Sequence, residues 1–261
     1  MLDGVKDAAS KTSPAGKARA DELLVARGLA ESRARAQALI MAGLVFAGDR
    51  RLEKPGQRLA ADAPLAVKGR DHPWVSRGGV KLAHALDHFG IDPKGLVALD
   101  VGASTGGFTD VLLARGALRV YAVDVGQGQL DWKLRQDARV IVLEKTNVRA
   151  LTRALVPEPP RLIVSDVSFI GLEKALPAAL ALAAPGANLI ALIKPQFEVG
   201  KGEVGKGGVV RDPKLHRAVC ARIAAWLDAQ PGWQVLGVVD SPITGADGNK
   251  EFLIAARLAP E

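Results

Sequence analysis

Four ionisable residues stand where an apolar run stops or a helix begins. Lys81 follows a glycine pair in Ser76-Arg77-Gly78-Gly79-Val80-Lys81-Leu82. Asp166 closes the run Leu162-Ile163-Val164-Ser165, and Lys194 closes Leu189-Ile190-Ala191-Leu192-Ile193. Glu251 opens the last strand in Asn249-Lys250-Glu251-Phe252. Taken singly, a charge at a strand end usually just reaches water. Lys194 is the least ordinary, because five apolar residues precede it. A partly buried ammonium needs carboxylate partners or a lowered affinity for its proton. Two lysines and two carboxylates at one sheet edge are the materials of acid–base chemistry.

A second constellation binds rather than reacts. Leu96 to Phe108 reads as a strand, a tight turn and a helix start, with Asp100, Gly102, Ser104, Gly106 and Gly107 along it. Open α/β sheets take ligands at such a turn, at the carboxyl end of the first strand. The dinucleotide fingerprint needs a glycine two residues after Gly102, and Ser104 stands there instead, which weakens a nicotinamide or flavin reading. Asp100 suits a cofactor with an amino group better than one with a pyrophosphate. Asp124 ends the next strand with a carboxylate, the usual place to hold a ribose diol. Acid, glycine turn and second acid point to S-adenosylmethionine. The plainer reading is a helix-capping turn with a surface aspartate. Gly200 to Gly207 fits G-x-x-x-x-G-K but lacks the following Ser or Thr that would hold magnesium. Its next helix starts only near Asp212, so it reads as a loop, and a candidate lid, at the sheet's carboxyl edge.

The elements that must position these residues follow from periodicity. Strands are expected at 96–100, 119–123, 140–143, 161–165, 188–193, 234–239 and 251–257, and helices at 79–90, 107–115, 171–183 and 212–229. Apolar strands alternating with helices imply an α/β fold, a mostly parallel sheet covered on both faces. Ahead of it lies a smaller α+β segment. Asp21 is expected to cap a helix carrying Leu23, Leu24 and Val25 and closed by Gly28. Ser32 is expected to cap a second, with Ala36, Leu39 and Ile40, ended by Gly43. Residues 44–46 and 65–67 read as short strands. The expected boundaries are an arm at 1–16, a small domain at 17–70, a linker at 71–75 and the large domain at 76–261. The arm is expected to be disordered.

Charge divides unevenly over these parts. The 261 residues carry 35 Lys and Arg against 28 Asp and Glu, a formal net charge of +7. Residues 17–70 hold eleven basic and six acidic residues, so +5 of the excess lies there. Lys17, Arg19, Arg33, Arg35, Arg50, Arg51 and Lys54 are the candidates for contact with an anionic partner. A hydrophobic fraction of 48% excludes wholesale disorder. One cysteine, Cys220, excludes a disulfide framework or a four-cysteine metal site, and is expected to be inert core. His84 and His88 have helical metal-ligand spacing but no evident third ligand, so no metal is expected. The start, MLDGVKDAAS, shows no apolar run of a signal peptide, which favours the cytoplasm. Ala175 to Ile193 runs without a charge, yet Pro177 and the pair Pro185-Gly186 break it into helix, turn and buried strand rather than a membrane span.

Residues 73–257 resemble the FtsJ-like ribose 2′-O-methyltransferases. The resemblance is carried by the Ser76–Leu82 motif, by Asp100 to Thr109, by Ser165-Asp166-Val167-Ser168-Phe169-Ile170, by Lys194-Pro195-Gln196-Phe197-Glu198 and by Gly248-Asn249-Lys250-Glu251-Phe252. Residues 17–70 resemble the alpha-L RNA-binding domain of the ribosomal-protein-S-four type. The two in this order look like the TlyA family, bacterial rRNA 2′-O-methyltransferases that also carry a hemolysin label. The resemblance implies a Rossmann-like methyltransferase sheet and a Lys-Asp-Lys-Glu tetrad at Lys81, Asp166, Lys194 and Glu251. It implies S-adenosylmethionine against Gly102, Ser104, Gly106 and Gly107, with Asp124 on the ribose and Asp166 near the sulfonium. Lys194 would be the base, or the cation that stabilises a developing alkoxide. Burial and Lys81 favour its neutral form; Asp166 and Glu251 oppose it and orient it. The implied substrate is a cytidine ribose in large-subunit rRNA, with small-subunit rRNA as a second target, recognised as rRNA or as ribosomal subunits by a monomer.

Two other classes compete. One is a membrane-lysing protein, as the hemolysin label suggests. The other is an RNA-binding ribosome assembly factor that keeps the cofactor fold without activity, against which the intact tetrad argues.

Overall fold

The computed structural model describes residues 16–30, 32–68, 72–200, 202–245 and 248–260. They fall into two compact units that divide at residues 69 and 70. The expected arm lies outside the described residues except for Gly16, as does the first linker residue, 71.

The first unit packs two helices on short strands. In chain order these are β1 (Lys17–Arg19), α1 (Ala20–Ala26), α2 (Arg33–Met41), β2 (Val45–Ala47), β3 (Arg50–Arg51), β4 (Arg58–Ala60) and β5 (Leu65–Val67). β1 pairs antiparallel with β4, and β2 lies between β3 and β5. Ser32 caps α2 as expected, its Oγ accepting the Arg35 N–H at 3.1 Å. Asp21 does not cap α1. Arg19 takes that position, and Asp21 lies fully buried in the first turn. Its carboxylate accepts hydrogen bonds from Arg19, Arg33 and Gln37. Leu24, Ile40, Val45 and Leu52 form the core beneath.

The second unit is built on a seven-stranded sheet. Its elements are α3 (Gly78–Phe89), β6 (Val97–Val101), α4 (Gly107–Ala114), β7 (Arg119–Val123), α5 (Trp132–Arg135), β8 (Val140–Leu143), β9 (Leu162–Ser165), α6 (Leu172–Ala175), α7 (Pro177–Leu180), β10 (Asn188–Ile193), α8 (Pro195–Glu198), α9 (Pro213–Asp228), β11 (Trp233–Asp240) and β12 (Phe252–Leu258). The strand order is β11-β12-β10-β9-β6-β7-β8. The five strands from β10 to β8 run parallel, and β12 and β11 add an antiparallel edge.

Strand periodicity explains why the central strands are apolar throughout. Leu99, Val101, Ile163, Leu189, Ala191 and Ile193 face one core with Leu172, Val219 and Ile223. Ala98, Leu162, Val164, Ile190 and Leu192 face the other, with Leu82, Leu86 and Val111. Alternate residues thus serve opposite layers, and both layers are covered by helices. Each fully buried leucine contributes about 1.5–3 kcal/mol. The single helix expected at 171–183 is split into α6 and α7, because Pro177 has no N–H to continue the ladder. Glu251 lies one residue before β12 rather than within it.

Candidate active site

The chain leaves β6 for β7 and β8, then returns to β9 and β10 on the other side of β6. Neighbouring strands whose connections depart in opposite directions leave a crevice at their carboxyl ends. The crevice lies between β6, which runs into the glycine turn, and β9, which runs into Asp166. The Asp166 N–H donates to the Val101 carbonyl at 3.1 Å. Gly102 has φ +88°, and a Cβ there would stand 3.1 Å from the Asp166 carbonyl oxygen. Only glycine meets both conditions without strain.

The four ionisable residues converge in two ion pairs. Lys194 Nζ lies 2.7 Å from Asp166 Oδ1. Lys81 Nζ lies 2.5 Å from Glu251 Oε2. Lys81, Lys194 and Glu251 are all buried. The two pairs sense each other. Burial pushes the Asp166 carboxyl up, but Lys194 and then Lys81 outweigh it, and the group is held below the ordinary carboxylate range. Lys81 reaches the site from the first turn of α3, Lys194 from the end of β10, and Glu251 from the residue before β12.

Glycines in the flanking motif make this approach possible. A Cβ at Gly79 would run into the Trp74 ring, and one at Gly107 would overlap Ser76 Oγ. Helix α3 therefore packs tightly on the start of α4, which carries Lys81 to the turn. A Cβ at Gly78 would stand 3.6 Å from Asp166 Oδ2.

The expected cofactor residues line or underlie the same turn. Ser104 adopts φ +47°, and its N–H donates to Asp124 Oδ2 at 2.8 Å. Asp124 Oδ1 accepts the Gly126 N–H at 2.7 Å. Gly106 has φ +94° and precedes α4, where a Cβ would collide with Leu134. Phe108 is core. Asp100 lies beneath the turn with no exposed surface. Its Oδ2 accepts from Thr109 Oγ1 at 2.6 Å, and its Oδ1 is buried without a hydrogen-bond partner. Burial pushes the Asp100 carboxyl up to about 7 against the pull of Thr109, with Asp166 adding to the rise.

Several residues at the site escaped the sequence reading. Ser168 Oγ accepts a hydrogen bond from Lys194 Nζ at 2.8 Å. Phe169 is 90% exposed with φ +67°, and its ring centroid lies 5.0 Å from that of Phe197. A bulky, solvent-facing aromatic is uncommon in left-handed backbone. Buried Asn249 accepts the Val210 N–H at 3.1 Å and donates to the Gly208 carbonyl at 3.0 Å. It thereby ties the end of the glycine-rich loop to the segment that carries Glu251. Asn249 falls inside a motif already singled out, so its chemistry was within reach of the sequence. Ser168 and Phe169 likewise fall inside the Ser165–Ile170 motif, but the motif alone does not tell that the Ser168 hydroxyl meets Lys194. Cys220 is half-buried on α9, its thiol pushed up to about 11 mainly by burial.

In the first unit two of the seven basic candidates are held on Asp21. Arg19 and Arg33 are bound to Asp21, at 2.9 and 3.1 Å, and Glu22 stands 3.8 and 3.5 Å from them. Arg35 and Lys54 are exposed on α2 and after β3. Lys17 is exposed on β1, and Arg50 and Arg51 make up β3.

Residues 74–258 match the FtsJ-like methyltransferase family, and residues 18–63 match the S4 domain. YqxC of Bacillus subtilis is 51% identical over 91% of this chain and 85% of its own. The 16S/23S rRNA (cytidine-2′-O)-methyltransferase TlyA of Mycobacterium tuberculosis is 48% identical over 93% of this chain and 91% of its own. A solved structure of a Streptococcus thermophilus protein named as a hemolysin superposes with a TM-score of 0.72 at 42% identity, over 95% of this chain and 90% of that one.

Proposed function

The chain belongs to the TlyA family of FtsJ-like methyltransferases, and from that premise we propose that it transfers a methyl group from S-adenosylmethionine to a cytidine 2′-hydroxyl of ribosomal RNA. The observation that carries the reading is the convergence of Lys194–Asp166 and Lys81–Glu251 beside the glycine turn. The named activity of the Mycobacterium tuberculosis relative supports large-subunit rRNA as substrate, with small-subunit rRNA as a second target.

The crevice suits the cofactor. At Gly102 a side chain would fill the space beside Asp166, and Asp124 and Asp166 flank the turn from the two neighbouring strands. When bound, S-adenosylmethionine supplies a methyl group on a positively charged sulfur. Gly102, Ser104, Gly106 and Gly107 would hold its methionine part and Asp124 its ribose. Asp100 would act from below, holding the turn through Thr109. Asp166 would face the sulfonium with one edge and Lys194 with the other.

A ribose hydroxyl is a poor nucleophile at neutral pH. Lys194 in its neutral form would take the hydroxyl proton and so raise the nucleophilicity of the ribose oxygen toward the methyl group that the cofactor would supply. Lys81 and Glu251 keep the pocket's charge balanced around this change. Positioning of hydroxyl and methyl supplies much of the rate. Phe169, exposed beside Phe197, would stack on the target base. Residues 17–70 would grip folded rRNA through phosphates, with Lys17, Arg35, Arg50, Arg51 and Lys54 presented outward and Arg19 and Arg33 braced on Asp21.

The test is methyl transfer to rRNA by the purified protein and by Lys194→Ala. The wild-type protein is expected to label ribose, and the variant to bind cofactor without labelling. A fully active variant would overturn the role of Lys194. The membrane-lysing alternative draws on names among relatives, and the tetrad has no part in it. Among the described residues no helix is long and apolar enough to cross a membrane.

A further inference from the structure

We propose that Ser168 is a positioning residue of this reaction, acting through Lys194 by fixing the direction in which the lysine nitrogen meets the substrate hydroxyl. The inference rests on the methyltransferase reading above and adds a residue to it. Lys194 Nζ is tetrahedral, with one direction taken by its own carbon. Ser168 Oγ at 2.8 Å takes a second by a hydrogen bond, whereas Asp166 Oδ1 at 2.7 Å is held as an ion pair outside hydrogen-bond geometry. In the neutral amine one N–H therefore points to Ser168, which confines the lone pair to the positions that remain.

The ion pair with Asp166 holds the nitrogen in place without directing an N–H, so with it alone the lone pair would turn. The hydrogen bond to Ser168 restricts that rotation. A carboxylate in place of Ser168 would do so too, but would add negative charge and favour the ammonium, which is the wrong form for a base. A hydroxyl accepts without charge. Its place in the chain fits the role. Ser168 is itself exposed, two residues after Asp166 and one before the outward-facing Phe169. It links the buried lysine to the solvent-facing loop. The turn at Phe169, with φ +67°, sends that ring outward while Ser168 stays on Lys194.

The experiment compares wild type, Ser168→Ala, Ser168→Thr and Ser168→Asp in the full chain, with rRNA as methyl acceptor. For each, cofactor Kd, rRNA Kd, kcat and its pH profile are measured. Ser168→Ala is expected to keep both Kd values within about twofold and to lower kcat about 10- to 100-fold, the scale of a misdirected reacting group. Ser168→Thr, which keeps the acceptor, is expected to recover most of the loss. Ser168→Asp is expected to move the rising limb of kcat to higher pH. A kcat for Ser168→Ala within threefold of wild type overturns the proposal. So does a loss that Ser168→Thr fails to recover, since that marks Ser168 as a packing residue. Absence of rRNA methylation by the wild type is a separate result, and overturns the methyltransferase reading instead.

Discussion

Lys81 Nζ meets Glu251 Oε2 at 2.5 Å across 170 residues of chain, with both side chains buried. The first sits in the opening turn of α3 and the second just before the last strand. The contact therefore closes the catalytic unit from its first helix to its last strand. It also sets the charge around Lys194 and Asp166.

Breaking one side of this pair is expected to cost more than removing both. Glu251→Gln leaves a buried ammonium without its counterion, as Lys81→Met leaves a buried carboxylate. Each is expected to lose about 3–5 kcal/mol of stability, and the double variant less than either. Urea unfolding of the four proteins measures this. A double variant as unstable as the sum of the two singles would mean the pair is not coupled. All three variants are expected to lose methyl transfer.

Gly245 tests the same carboxylate without touching its charge. A Cβ at Gly245 would overlap Glu251 Oε1, so Gly245→Ala must displace the carboxylate from Lys81. The substitution is expected to lower kcat at least about 10-fold while leaving cofactor affinity unchanged. Isothermal titration with S-adenosylmethionine and a methylation assay separate the two effects. Wild-type kcat in this variant would show that Glu251 can shift without consequence.

How much of this was visible in the amino acids depends on the distance over which each signal acts. A parallel strand buried on both faces leaves an unbroken apolar run, and the charge that ends it marks the carboxyl edge. Asp166 and Lys194 are legible for that reason. The chemistry of the loop is not written in any run, so Ser168 is visible as part of a motif but its contact with Lys194 is not. Asp21 misleads because an aspartate ahead of Leu23 and Leu24 looks like a cap. Its true role depends on Arg33 and Gln37, which come from another helix. β3 has two residues and β1 and β4 three each, too short for alternation to show.

Asp100 makes stability depend on pH in an uncommon sense. Its carboxyl is pushed up to about 7, first by burial, so the folded protein holds a proton there that the unfolded chain has released above about 4. Folded binds more protons than unfolded between these values, and stability from this group falls as pH rises from about 4 to about 7. Asp100→Asn is expected to remove that fall. Melting temperatures of both proteins at pH 5 and pH 7 give the comparison. An equal pH 5 to pH 7 difference in the two would refute it. Thr109→Val removes the hydroxyl that opposes the rise, and is expected to deepen the wild-type fall.

The first unit separates gripping charges from bracing ones, and salt tells them apart. Asp21 is held well below the ordinary carboxylate range, chiefly by its hydrogen bond with Arg19, against burial and with help from Gln37 and Arg33. A depressed carboxyl contributes stability that is present above its unfolded value, near 4, and is lost as pH falls toward its folded one. Asp21→Asn is therefore expected to destabilise the unit at pH 7, with the difference shrinking in acid. Arg50 and Arg51 form no ion pair among the described residues and carry no such burden. Replacing both with Gln is expected to leave melting unchanged and to weaken rRNA binding. The slope of log K against log salt should become shallower by about one for each phosphate that is no longer neutralised. Filter binding at several salt concentrations reads that slope. If it is the same in Arg50→Gln/Arg51→Gln as in wild type, β3 does not touch the RNA backbone, and the grip lies with Lys17, Arg35 and Lys54.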